Sequence, residues 1–178
     1  GKSDRPFFIA AGFVRPHYPN VAPHQYFDQY PYQDISLPET REGDLDDVPE
    51  LGHTKVTSLN DPIGQYPENQ KKFWGSYYAT ITYMDEQVGR IMAELDRQGL
   101  RDSTAVVFIG DHGYNLGEHF FWQKANLHED VTRVPFIISA PGFESGESDS
   151  IVELADIYPT LAELVGITSP ETVQGKSL

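Results

Sequence analysis

The sequence predicts an α/β fold, a predominantly parallel sheet flanked by helices, and three observations carry that prediction. Short continuous apolar runs recur between turn residues, one long stretch repeats its apolar side chains at helical spacing, and the two patterns alternate along the chain. A length of 178 residues suits one ordinary domain with a sizeable core. Hydrophobic residues at 39% and aromatics at 12% supply that core and set the chain apart from disordered segments.

Residues 7–13 (FFIAAGF) form an uninterrupted apolar run closed by Arg15-Pro16, the pattern of a strand covered on both faces. Its C-terminal end delivers His17. Residues 18–64 carry Pro19, Pro23, Pro31, Pro38, Pro49 and Pro62 and an acidic patch between Glu42 and Glu50, which predicts a long, mostly irregular excursion with one helical turn near residues 24–30. Pro67 then opens a helix over residues 67–98, in which Phe73, Tyr77, Ile81, Met84, Val88, Ile91 and Leu95 recur three and four apart. Proline and Glu68 suit its first turn, Gly99 suits a left-handed cap after its last, and Gly75 is expected to bend it slightly. Residues 105–109 (AVVFI) and 134–139 (VPFIIS) are a second and a third buried strand, expected in one predominantly parallel sheet with residues 7–13 and with the long helix packed on it. Residues 156–165 read as a last helix, with Pro159 in its first turn and Gly166 as its stop.

The formal net charge of −14, from 27 acidic against 13 basic residues, disfavours nucleic acid and anionic membrane as partners. An anionic substrate would need positive charge concentrated locally against that field. Without cysteine the chain holds neither disulfide nor thiolate chemistry, and the redox compartment cannot be read from it. No apolar stretch reaches the roughly 18 residues of a membrane span. The opening Gly1-Lys2-Ser3-Asp4-Arg5 lacks a signal-peptide cleavage pattern and reads as cut from a larger polypeptide.

Gly110-Asp111-His112-Gly113 follows directly on the strand at 105–109, and open α/β sheets bind ligands beyond the carboxyl ends of their strands. A carboxylate and an imidazole on a glycine-flanked turn can reach one cation. Alone, such a dipeptide is as compatible with a surface turn. It does not stand alone: Gly117-Glu118-His119, Trp122-Gln123-Lys124 and Thr132-Arg133-Val134-Pro135 follow in order. The stretch DHGYNLGEHFFWQKANLHEDVTRVPFIISAPG resembles the C-terminal-side segment of sulfatases, in the alkaline phosphatase superfamily. RPFFIAAGFVRPHYP, SYYATITYMDEQVGRIMAELD and VELADIYPTLAELVGI are also similar to sulfatase segments, so the resemblance spans nearly the whole chain.

That resemblance implies a fragment of one sulfatase catalytic domain over residues 1–178, with Asp111 and His112 as two ligands of a divalent cation, calcium in this family. Imidazole by itself would suit zinc or another transition ion, so chemistry and resemblance diverge on the metal. The resemblance also implies that Lys124 binds the sulfate oxygens and that His17 reaches the sulfate or its leaving oxygen. Without it, a histidine after a strand reads as a turn cap and a lone lysine as a solvated one. Tyr114 and Glu118 are candidates for contacts to the sugar of a sulfated carbohydrate. His119 and His128 are expected to be surface or supporting residues, with His119 near enough in sequence to line the pocket, Arg133 to pair with Glu129 or Asp130 or to bind backbone carbonyls, and His24 and His53 to have no role.

The formylglycine nucleophile of this family, made from Cys or Ser in C/S-x-P-x-R, and two further metal-binding acids are expected in the remainder of the same polypeptide. Ser36-Leu37-Pro38-Glu39-Thr40 places Thr where Arg is required and is rejected as the nucleophile. The implied activity is sulfate ester hydrolysis, in an exported (periplasmic or extracellular) or lysosomal setting. Two other readings stay open: a phosphodiesterase or phosphonate monoester hydrolase with a similar Asp-His pair, and a noncatalytic glycan-binding domain. On the sulfatase reading His17, Asp111, His112 and Lys124 gather at one sheet edge.

Overall fold

The computed structural model describes residues 5–178; residues 1–4 of the opening segment lie outside it. Among the described residues, four strands and four α-helices follow in chain order: α1 (His24–Phe27), α2 (Pro67–Arg97), β1 (Val106–Ile109), β2 (Asn115–Leu116), β3 (Trp122–Gln123), α3 (Glu129–Thr132), β4 (Phe136–Ser139) and α4 (Ile157–Leu164). Helix and strand are mixed along the chain, as the α/β class requires.

The long helix is where its pattern places it. Proline stands at its N-terminal turn. At the other end Gly99 takes φ +65°, with its N–H on the Asp96 carbonyl at 2.9 Å and the Leu100 N–H on that of Leu95 at 3.1 Å. This paired closure satisfies carbonyls that an open helix end would leave bare. Gly166, at φ +72°, ends α4 in the same way. Gly75 has a different task from the bend expected of it: a Cβ there would lie 2.8 Å from the Tyr30 carbonyl oxygen, so glycine admits the close approach of the chain leaving α1. That approach is sealed by the Tyr30 hydroxyl on Thr82 Oγ1 at 2.6 Å and by the Tyr26 hydroxyl donating to Glu86.

The excursion over residues 18–64 is irregular, as its prolines dictate, but it is pinned at many points. Its later half wraps the β2–β3 hairpin: Trp122 N–H donates to the Val56 carbonyl at 3.0 Å, Ser58 N–H to that of Phe120 at 2.8 Å, and Trp122 Nε1 to Ser58 Oγ at 2.9 Å. The core forms between these layers. Phe73 of α2 packs with Leu116 and Trp122 of the hairpin, and Val56, Ile63, Trp74, Tyr77 and Tyr114 close around them. Trp122 is 1% exposed and meets Phe73 edge-on, with ring centroids 5.9 Å apart.

Three expectations are corrected. Residues 7–13 form no strand and are exposed, with Phe8 at 82% and Ile9 at 76%; an apolar strand needs neighbours on both sides to take its backbone groups, and no described segment pairs with it. β1 and β4 pair antiparallel, with Val106 opposite Ser139 and Ile109 opposite Phe136. Their connection holds a hairpin and the single turn α3, with no helix long enough to return the chain for a parallel pairing. Finally, α2 builds its core against the β2–β3 hairpin, and no residue of β1 or β4 belongs to that cluster.

Candidate active site

β1 ends at Ile109, and the Gly110 N–H holds the Pro135 carbonyl at 3.0 Å, so the chain leaves the strand pair at a fixed point. Gly113 then donates to the Val131 carbonyl of α3 at 2.7 Å. A Cβ on Gly113 would fall on the Asp130 carbonyl oxygen, so only glycine permits this approach. Between the two tethers, Asp111 Oδ1 accepts the His112 N–H at 3.1 Å, and the Asp111 side chain stays 89% exposed.

His112 is the hub. Its Nδ1 lies 2.8 Å from the Gly113 carbonyl, which can only accept, so the hydrogen sits on Nδ1. Its Nε2 lone pair receives the Lys124 ammonium at 2.8 Å, and Asp111 Oδ2 stands 3.7 Å from the same nitrogen. Three of the four residues expected to gather therefore do so: Asp111, His112 and Lys124.

Lys124 arrives there by a turn that L-residues disfavour. His119 (φ 53°), Phe120 (φ 61°) and Gln123 (φ 69°) all adopt left-handed backbone, at a cost on the order of 1–3 kcal/mol each. The surroundings hold them. His119 Nδ1 meets Asp44 Oδ2 at 2.7 Å, Gln123 Nε2 donates to the buried Asp61 at 3.3 Å, and the wholly buried Asn115 links Asp130 at 3.3 Å to Asn126 at 2.7 Å. Asp44, Asp61 and Asn115 escaped the sequence reading of the site, which named Trp122 only as part of the Trp122-Gln123-Lys124 motif. The Gln123 side chain, beside Lys124, ties Asp61 to the motif in space, and no local pattern pairs Asp44 with His119.

His17 lies on an exposed turn, with Nδ1 on the Tyr18 carbonyl and its own carbonyl held by Arg15 at 3.0 Å. Tyr18 stacks on Phe73 at 5.9 Å, and Phe73 stacks on Tyr114 at 6.3 Å. One column of rings thus joins the residue after His17 to the segment that follows His112. Tyr114 is half-buried in that column, and burial, with Asp61 next in effect, pushes its hydroxyl up to about 12. It is a neutral donor or acceptor. His128 Nε2 donates to the Gly52 carbonyl, 2.9 Å away, since a carbonyl only accepts. Arg133 approaches Glu129 at 4.0 Å. His24 pairs with Asp28, and His53 lies 3.1 Å from the Val48 carbonyl.

Glu118 turns its carboxylate back to accept the Leu116 N–H and lines a cavity of about 300 Å³ with Glu39, Arg41, Asp44, His119 and Asp130. Burial, above all, raises its pKa over the ordinary 4.5. The folded state therefore keeps this proton to higher pH than the unfolded chain does; the contribution to stability is full below about pH 4.5 and is lost as pH rises through the raised value. Glu118→Gln removes that loss. Melting temperatures of the two proteins should converge near pH 4 and separate in favour of the variant toward pH 8; parallel curves would contradict it.

The Asp111-His112 pair fits a cation as a partial ligand set. A hydrogen bond from Nδ1 to a carbonyl is the arrangement that leaves Nε2 for a metal, and the carboxylate faces the same nitrogen. Lys124 uses that lone pair now, and among the described residues no group of three such donors assembles. Two ligands do not complete the coordination of a divalent ion.

The fold is that of the alkaline-phosphatase-like hydrolases. A solved phosphonate monoester hydrolase from Silicibacter pomeroyi superposes with TM-score 0.82 at 29% identity, over 93% of this chain and 35% of that one. A second structure, solved in complex with its substrate D-glucosamine-2-N,6-O-disulfate, matches with TM-score 0.56 at 29% identity over 66% of this chain and 24% of that one. The sulfatase family model matches residues 1–167; the chain belongs to the sulfatase family. It is 36% identical to a sulfatase of Formosa agariphila, over 98% of this chain and 35% of that protein. Against iduronate 2-sulfatase of Homo sapiens it is 33% identical, over 94% and 37%. The chain thus spans little more than a third of the length of these relatives.

Proposed function

We propose that the protein is a sulfuric ester hydrolase acting on a sulfated sugar or glycosaminoglycan-type substrate, similar in this to iduronate 2-sulfatase, and that residues 1–178 supply half of its active site. The observation that carries this is the Lys124 ammonium set 2.8 Å from the His112 imidazole beside the exposed Asp111 carboxylate. A positive group fixed in place in a chain of net charge −14 is what an anionic ester requires.

In this reading Lys124 donates to the nonbridging sulfate oxygens, where negative charge is concentrated, after leaving His112 Nε2 to the cation. His17 holds the proton that the departing alkoxide takes. Tyr114 and Glu118 face the sugar. A divalent cation, calcium, held by Asp111 and His112 together with acids from the remainder of the polypeptide, adds positive charge at the sulfate when bound. The formylglycine nucleophile is assigned to that remainder too, and residues 1–178 by themselves are expected to turn over no substrate. The sugar assignment is supported by the substrate of the glucosamine disulfate complex and by the name of the human relative. Export or lysosomal delivery follows from the family resemblance; no helix among the described residues is long and apolar enough to cross a membrane.

The likeness to a phosphonate monoester hydrolase favours one second reading, hydrolysis of phosphonate or phosphate esters. The full-length protein decides between them. Its kcat/KM for a sulfated monosaccharide or aryl sulfate should exceed that for the matched phenylphosphonate ester by at least about 10²-fold, the scale set by a site matched to one transition state. The reverse ratio would reject the sulfatase assignment.

A further inference from the structure

We propose that Asp44 and His119 act as a positioning clamp for Lys124; the proposal rests on the assignment of Lys124 to the sulfate. The turn preceding this lysine places His119, Phe120 and Gln123 in left-handed backbone, a conformation that side-chain-bearing residues keep only when something outside imposes it. Gln123 is the residue immediately before Lys124, so relaxation of the turn redirects the lysine away from His112 Nε2.

The outside contacts come from the excursion. Asp44 Oδ2 reaches His119 Nδ1 at 2.7 Å, across 75 residues of sequence; the Asp61 contact to Gln123, at 3.3 Å, is longer. Side-chain exposure of 41% for His119 and 26% for Asp44 leaves the pair partly sheltered at the rim of the 300 Å³ cavity. Neither residue belongs to the Phe73–Leu116–Trp122 core. Truncating Asp44 therefore empties no packed space, and its effect should travel through the turn to Lys124 and leave the fold in place.

A double-mutant cycle in the full-length enzyme separates this from a merely structural contact. Asp44→Ala should lower kcat about ten- to hundredfold, the scale of a misplaced reacting group, with KM within about twofold and the melting temperature nearly unchanged. In a Lys124→Ala background the same substitution should cost nothing more. His119→Asn, which tolerates left-handed backbone and still offers a donor, should keep most of the activity that His119→Ala loses. If the Asp44→Ala and Lys124→Ala losses simply add, or if His119→Asn fares no better than His119→Ala, the clamp is refuted while the role of Lys124 stands. A fully active Lys124→Ala enzyme overturns both.

Discussion

Replacing Lys124 by alanine in the full-length protein should lower kcat/KM toward a sulfate ester by about 10²- to 10³-fold, the usual cost of removing one preorganised charge from a transition state. The loss should fall on kcat more than on KM, because the sulfate oxygens draw most strongly on the ammonium as the leaving group departs. Lys124→Arg is expected to recover little: a planar guanidinium cannot occupy the point held by a compact ammonium 2.8 Å from His112 Nε2. Steady-state kinetics of both variants on one aryl sulfate measures this. Unchanged kcat/KM in Lys124→Ala would remove the lysine from the site.

The second large effect is expected at Asp111. Its carboxylate is 89% exposed and makes one backbone contact, to the His112 N–H, so the fold does not depend on its charge. Asp111→Asn should therefore leave the melting temperature of the metal-free protein within a degree or two, a surface-type change. Calcium affinity and activity should both fall by at least about 10- to 100-fold, the range seen when groups that tune a metal site are lost. The amide still offers an oxygen, so excess calcium should restore part of the activity. Calorimetric titration of calcium, alongside activity against calcium concentration, reads both effects. Equal affinity in variant and wild type would take Asp111 out of the ligand set.

Local chemistry is legible in this chain wherever one stretch of residues suffices. The spacing of Phe73, Tyr77 and Ile81 with Pro67 and Gly99 at the ends places α2 correctly, because helix formation depends on i, i+4 neighbours and terminal caps. Gly166 marks the end of α4 for the same reason. The order of Asp111-His112, Trp122-Gln123-Lys124 and Arg133-Val134-Pro135 carries the resemblance to sulfatases, the family whose model matches residues 1–167, and Asp111, His112 and Lys124 do converge.

Pairings between distant segments follow from no local pattern, and there the tertiary structure decides. The apolar run at residues 7–13 promises a covered strand, yet burial depends on partners that no described segment provides. β1 and β4 read alike in any sheet; the connection between them holds no helix long enough for a parallel crossover, and they pair antiparallel. Gly75 looks like a bend until the Tyr30 carbonyl is found against it. Asp44 and Asp61 are unremarkable acids in a proline-rich stretch until the fold sets them against His119 and Gln123. A side chain's type and spacing specify what it can do, whereas a contact between residues far apart in the chain exists only once the whole chain has closed around it, since the free energy of that contact depends on every segment that brings the two together.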